Sequence, residues 1–159
     1  MMKHSPRGFT LVELGIVIGV LAIMATVVFT ARGFIDQSRV GTSVQLVSSV
    51  RDAARGWSKR TNGGASFIGL TSIALLVNNP SDTTRFFVTT PRDPWDNANV
   101  TVAAVGGLGD FVDVGICIGN GGNAAVLAQD FRVNAERIGQ VTVGSACGGA
   151  GVQVIVRLR

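Results

Sequence analysis

Apolar positions are spread unevenly along the chain. The run from Phe9 to Ala31, FTLVELGIVIGVLAIMATVVFTA, holds one ionisable residue, Glu13, in 23 positions and shows no polar face. As a helix it extends about 35 Å, enough to cross a bilayer with some tilt. Past Arg32 and Gly33 the pattern narrows to a stripe: Val40, Val44, Val47, Val50, Ala54 and Trp57 recur at steps of three and four. Asp36, Gln37, Arg39, Gln45, Ser48, Arg51, Asp52 and Arg55 take the remaining faces, so this part is amphipathic and packs one side on a domain. The two parts predict one helix from about Phe9 to about Lys59, ended by Asn62-Gly63-Gly64. Gly33, Gly41 and Gly56 each weaken it by roughly 1 kcal/mol relative to alanine, which allows a bend near Gly33.

The rest of the chain predicts short elements. Thr71 to Asn79 reads as a helix capped by Thr71 and stopped by Pro80. Arg85 to Thr89, Asn99 to Val105 and Asp110 to Ile118 are rich in β-formers and are divided by Pro91, Pro94, Asn97 and Gly106-Gly107. A second helix is expected over Ala124 to Arg132, and closing strands over Ile138 to Val143 and Val152 to Leu158. The expected fold is α+β: a long N-terminal helix, apolar in its first half, packed on a mainly antiparallel sheet of four or five strands.

Charge and composition exclude several functions. The 159 residues carry 14 basic and 10 acidic side chains, and Lys3 and Arg7 precede the apolar run. That leaves 12 against 10, or +2, for the remainder, too little for a nucleic-acid binder driven by net charge. The same two cations predict a cytoplasmic N-terminus and an exported remainder. His4 is the single histidine and also lies ahead of the run. The body of the protein therefore has no Ser-His-Asp triad, Cys-His pair or histidine zinc site. The strings Gly106-Gly107-Leu108-Gly109 and Gly119-Asn120-Gly121-Gly122 lack both the dinucleotide spacing and a P-loop lysine, and read as turns.

Glu13 is the residue an ordinary membrane anchor does not explain, because an ionised acid inside an apolar helix costs several kcal/mol unless paired. It stands four positions after Phe9 in Arg7-Gly8-Phe9-Thr10-Leu11-Val12-Glu13. A short basic leader, G-F-T-L-x-E and a following apolar run together resemble the class III signal of type IV pilins and pseudopilins. The resemblance is strong over residues 1 to about 40 and architectural beyond. It implies that a prepilin peptidase cuts between Gly8 and Phe9 and N-methylates Phe9. Residues 1–8 are then a leader, 9–31 the membrane-spanning and filament-core half of the helix, and 32–159 the exported head. Cleavage would create an ammonium group for which Glu13 is the partner, within the chain or from a neighbouring subunit.

The implied function is a structural subunit held in the inner membrane and assembled, with copies of itself or related pilins, into a helical filament by an inner-membrane platform. No enzymatic activity and no cofactor are expected. Asp93-Pro94-Trp95 resembles a D-P-W element of the major pseudopilins of type II secretion systems and of some pilins, and is compatibly read as a proline turn followed by a core tryptophan. The calcium loop of those proteins has no counterpart in Gly144 to Gly151, which carries no carboxylate. Asp110 and Asp113 remain, and no metal is expected. Outside the cytoplasm Cys117 and Cys147 are expected to pair, as pilin cysteines commonly do, with two buried free thiols as the other reading. Thr30, where many type IVa pilins have a kinking proline, leans toward the type IVb branch. DNA binding by Arg132, Arg137, Arg157 and Arg159 with Lys59 and Arg60 is possible but not favoured over scattered solvated arginines. An exported enzyme on a signal anchor is the remaining class.

Overall fold

The computed structural model describes residues 10–78, 86–95, 98–106 and 109–159. Helix α1 (Leu11–Asn62) is unbroken, including across Gly33. The chain divides at Ile35/Asp36 into two compact units, the first holding the apolar part of α1 and the second everything after it.

In the second unit α1 buries Val40, Ser43, Val47, Val50, Ala53, Ala54 and Ser58, a stripe at the helical period. Val44 and Trp57, placed on that stripe by the sequence, are half-buried at its margins. Two serines take central positions because each has an internal acceptor: Ser43 donates to the Arg39 carbonyl at 2.9 Å and Ser58 to the Ser66 carbonyl. The helix ends where Gly63 turns left-handed at φ +63°, and the Gly64 N–H then folds back to donate to the Ser58 carbonyl at 3.0 Å. An L side chain rarely holds that φ, so Gly63→Ala should cost about 1 kcal/mol, read by chemical denaturation. No change in midpoint would contradict the cap.

The stripe packs on a four-stranded antiparallel sheet of order β1-β2-β4-β3: β1 (Thr101–Val105), β2 (Phe111–Ile118), β3 (Gln140–Cys147) and β4 (Gly151–Leu158). The last strand in sequence is thus central, between β2 and β3, and is paired along Val112↔Leu158 to Ile118↔Val152 on one side. Val102, Val112, Val114, Ile116, Ile118, Val154, Val156 and Leu158 face inward by strand alternation and are buried. Helix α2 (Ala124–Ala135) lies over β4 and β3 and inserts Leu127, Ala128 and Phe131 into the same core. Gly119, at φ +78°, makes the turn from β2 to α2, where a Cβ would come within 2.6 Å of the Ala124 Cα.

Several expected boundaries move. The helix expected over Thr71 to Asn79 is a single 3-10 turn, Ile73–Leu76; Ser72 offers it no side-chain cap, and Val77 leaves it to bridge Phe87. Asn79 and Pro80 lie outside the described residues. The strand expected from Arg85 to Thr89 reduces to that parallel Val77↔Phe87 bridge, with Arg85 outside the described residues. Strand β3 runs on to Cys147 through a bulge, where Gly144 and Ser145 together oppose Gln153.

Candidate functional site

The first unit is the candidate site. Every residue from Thr10 to Ile35 is exposed, among them Leu11 (88%), Phe29 and Phe34 (both 74%). Within α1 lies an 18-residue stretch of mean hydropathy 2.6, the one helix among the described residues long and apolar enough to cross a membrane. Its threonine hydroxyls are satisfied within the helix. Thr26 donates to the Ile23 carbonyl at 2.7 Å, and Thr30 to those of Thr26 and Val27 at 3.2 and 3.0 Å. A shaft of this kind loses no hydrogen bonds when water is replaced by lipid or by other apolar helices.

Gly8 and Phe9, the expected cleavage and methylation positions, lie outside the described residues. Glu13 is described, and its environment differs from the expectation of a bare acid. One oxygen, Oε2, accepts the Thr10 N–H at 2.9 Å and the Thr10 hydroxyl at 3.0 Å, and the Glu13 N–H donates back to Thr10 Oγ1 at 3.2 Å. This is a capping box, Thr10-x-x-Glu13, which closes two of the donors a helix start leaves open. The signal was in the sequence as T-L-V-E. The other oxygen, Oε1, has no partner among the described residues. Glu13 therefore both starts the helix and presents a carboxylate at its first turn.

In the second unit the cysteines are joined: Cys117 and Cys147 form a disulfide, their Cα atoms 6.1 Å apart and 30 positions apart in sequence. Cys117 is the last but one residue of β2 and Cys147 the last of β3, so the bond ties two strands between which β4 runs. Asp93, Pro94 and Trp95 form a turn that is part of the core. Asp93 is buried and accepts the Trp95 N–H at 2.9 Å through Oδ1 and the Ala98 N–H at 2.6 Å through Oδ2, while Trp95 is 8% exposed. Asp93→Ala should destabilise the head by about 2 to 3 kcal/mol, since it strands buried amides that now meet a charged acceptor. An unfolding midpoint equal to the parent's would contradict this.

No cluster suited to a metal ion occurs among the described residues. Asp113 instead takes both arms of Arg157, at 2.8 Å each, and these hydrogen bonds and the adjacent negative charge raise the Arg157 pKa. Asp110 lines a cleft of about 440 Å³ with Arg55, Lys59 and Arg159. The residues of the conjectured basic patch are partly committed elsewhere: Arg132 pairs with Glu136 at 3.2 Å, and Arg60 lies 4.6 Å over the Phe86 ring. No protein-family model, curated protein or solved structure matches the chain.

Proposed function

We propose that this protein is a structural subunit of a type IV pilus or pilus-like filament. It is held in the inner membrane by the apolar half of α1 with its N-terminus cytoplasmic, processed between Gly8 and Phe9 by a prepilin peptidase, and assembled through that helix with copies of itself or related subunits. The observation that carries this reading is a fully apolar, internally satisfied shaft whose one carboxylate stands at its first turn. A simple membrane anchor can use the cap but not the charge, since glutamine closes the same box and an ionised carboxylate costs several kcal/mol to desolvate. An assembly helix can use both, because an ammonium at the processed N-terminus of an adjacent subunit offsets that cost and fixes the axial register.

Mass spectrometry of the membrane-extracted or assembled protein should find a chain beginning at N-methylated Phe9. An intact Met1, or a start near Arg32, would sink the proposal. A second reading, a pseudopilin of a type II secretion system confined to the periplasm, is favoured by Asp93-Pro94-Trp95. The Cys117–Cys147 bond favours the pilus. Filaments sheared from the cell surface and probed for this chain separate the two.

A further inference from the structure

The chain contains two Asn-Gly pairs, Asn62-Gly63 and Asn120-Gly121. In such a pair the backbone nitrogen of the glycine can attack Cγ of the asparagine side chain, because no Cβ shields that nitrogen and the glycine backbone turns freely. The fold decides whether the two atoms can meet, and it holds these two pairs differently.

Asn62 is the last residue of α1, and its side-chain amide is bound on both sides: Nδ2 donates to the Ser66 carbonyl at 3.1 Å and to the Ile68 carbonyl at 2.9 Å. For that amide to leave, both bonds must break and the helix end must open. Asn120 has neither restraint. It lies in the turn from β2 to α2, where Asn120, Gly121 and Gly122 are exposed, and its side chain has no hydrogen-bond partner among the described residues. Gly121 is at φ +89°, and a Cβ built on it would meet nothing within 4 Å, so the space around the attacking residue is open. Its N–H makes only a long hydrogen bond, 3.3 Å to the Ala150 carbonyl. Exposed loop tips are where a folded chain is altered first.

We propose that Asn120 is a site of spontaneous modification, at which the folded chain converts its own asparagine to an isoaspartyl or aspartyl residue. The Gly121 nitrogen bonds to Cγ of Asn120 and gives its proton to solvent; the Cγ–Nδ2 bond breaks, and Nδ2 takes up a proton and leaves as ammonia. A five-membered succinimide remains. Water then opens the ring at either carbonyl. Breaking the new bond from Cγ to the Gly121 nitrogen gives aspartate, and breaking the original peptide bond leaves the main chain running through Cβ and Cγ as isoaspartate. Water is the one co-reactant, and nothing is oxidised or reduced. The turn it alters also seats Asn123, whose Nδ2 donates to Asp36 Oδ2 on α1 at 2.8 Å, and the Gly121 carbonyl accepts the Ala124 N–H at 3.1 Å where α2 begins. Isoaspartate would add a main-chain methylene and a carboxylate just ahead of those contacts. This chemistry is independent of the filament reading.

The test is peptide mapping by mass spectrometry of the full chain, kept folded in detergent micelles in mildly alkaline buffer. The two sites fall in separate tryptic peptides, 61–85 and 93–132. Asn120 should gain one mass unit at least tenfold faster than Asn62, with isoaspartate in excess of aspartate. In urea, where the fold protects neither pair, the two rates should come within about twofold of each other. Equal rates at 62 and 120 in the folded chain overturn the proposal, as does an Asn120 that reacts at least tenfold more slowly folded than in urea. A tenfold difference that persists in urea overturns the fold as its cause, and aspartate formed without isoaspartate overturns the succinimide route.

Discussion

Cells carrying Glu13→Gln should make and process the subunit normally yet show almost no filaments. The capping box makes this substitution more informative than removal of the side chain. Glutamine also closes a capping box, so Thr10 keeps its acceptor and the helix keeps its start, while the charge disappears. Glu13→Ala loses both, and would confound a frayed first turn with a missing ion pair. In a low-dielectric helix bundle the amine of the incoming subunit would then be buried without a counter-charge, a loss of about 3 to 5 kcal/mol per contact. Repeated at every subunit addition, that is enough to stop growth. Electron microscopy of sheared material, with immunoblots of membranes for the processed chain, provides the measurement. Filaments at parental density would mean that Glu13 serves the cap and nothing else.

The second large effect is on the head. Replacing both cysteines, Cys117→Ala with Cys147→Ala, should lower its unfolding free energy by about 3 to 4 kcal/mol, the chain-entropy value for a loop of this length. Urea unfolding of parent and double variant gives the difference, and reduction of the parent should reproduce it. The site of the bond adds a local expectation. It ties the end of β2 to the end of β3 with β4 between, so its loss should raise hydrogen exchange first at Ala146 to Val152, near the bulge, before the ladder at Val112 to Val114 responds. A loss below about 1 kcal/mol would mean that this end of the sheet holds without its staple.

What was legible in the sequence follows from the range of the interactions. Steps of three and four gave the buried face of α1 because a helix stripe is a local property, and alternation gave β2 and β4 to within one or two residues. The order β1-β2-β4-β3 was not legible, since pairing residue 112 with 158 leaves no trace in either segment. Thr71 to Asn79 failed for a tertiary reason: Phe87 donates its N–H to the Leu76 carbonyl and accepts that of Asn78, drawing the backbone out of the helix that its leucines favour. At the candidate site, Glu13 stood out by its isolation. Its bond to Thr10 was also readable from T-x-x-E and was hidden only because charge pairing offered a competing explanation. Asp93 was read as part of a turn, but not as the acceptor that closes it around a buried tryptophan.

If the head is exported as proposed, the central place of β4 fixes an order of events. A chain threaded through a membrane from residue 36 onward delivers β1, β2, α2 and β3 first, and of these only β1 and β2 can pair with each other. The edge of β2 that later receives Val152 to Leu158, and the edge of β3 that pairs with β4, must wait until the last strand has emerged. No partly delivered chain can complete the sheet and jam a narrow channel with a finished domain, and closing it is a single late insertion of long sequence separation, slow on the scale of local pairing. Until that insertion the apolar faces of both strands are bare, which makes the interval just after delivery the time when the head is most open to aggregation and proteolysis.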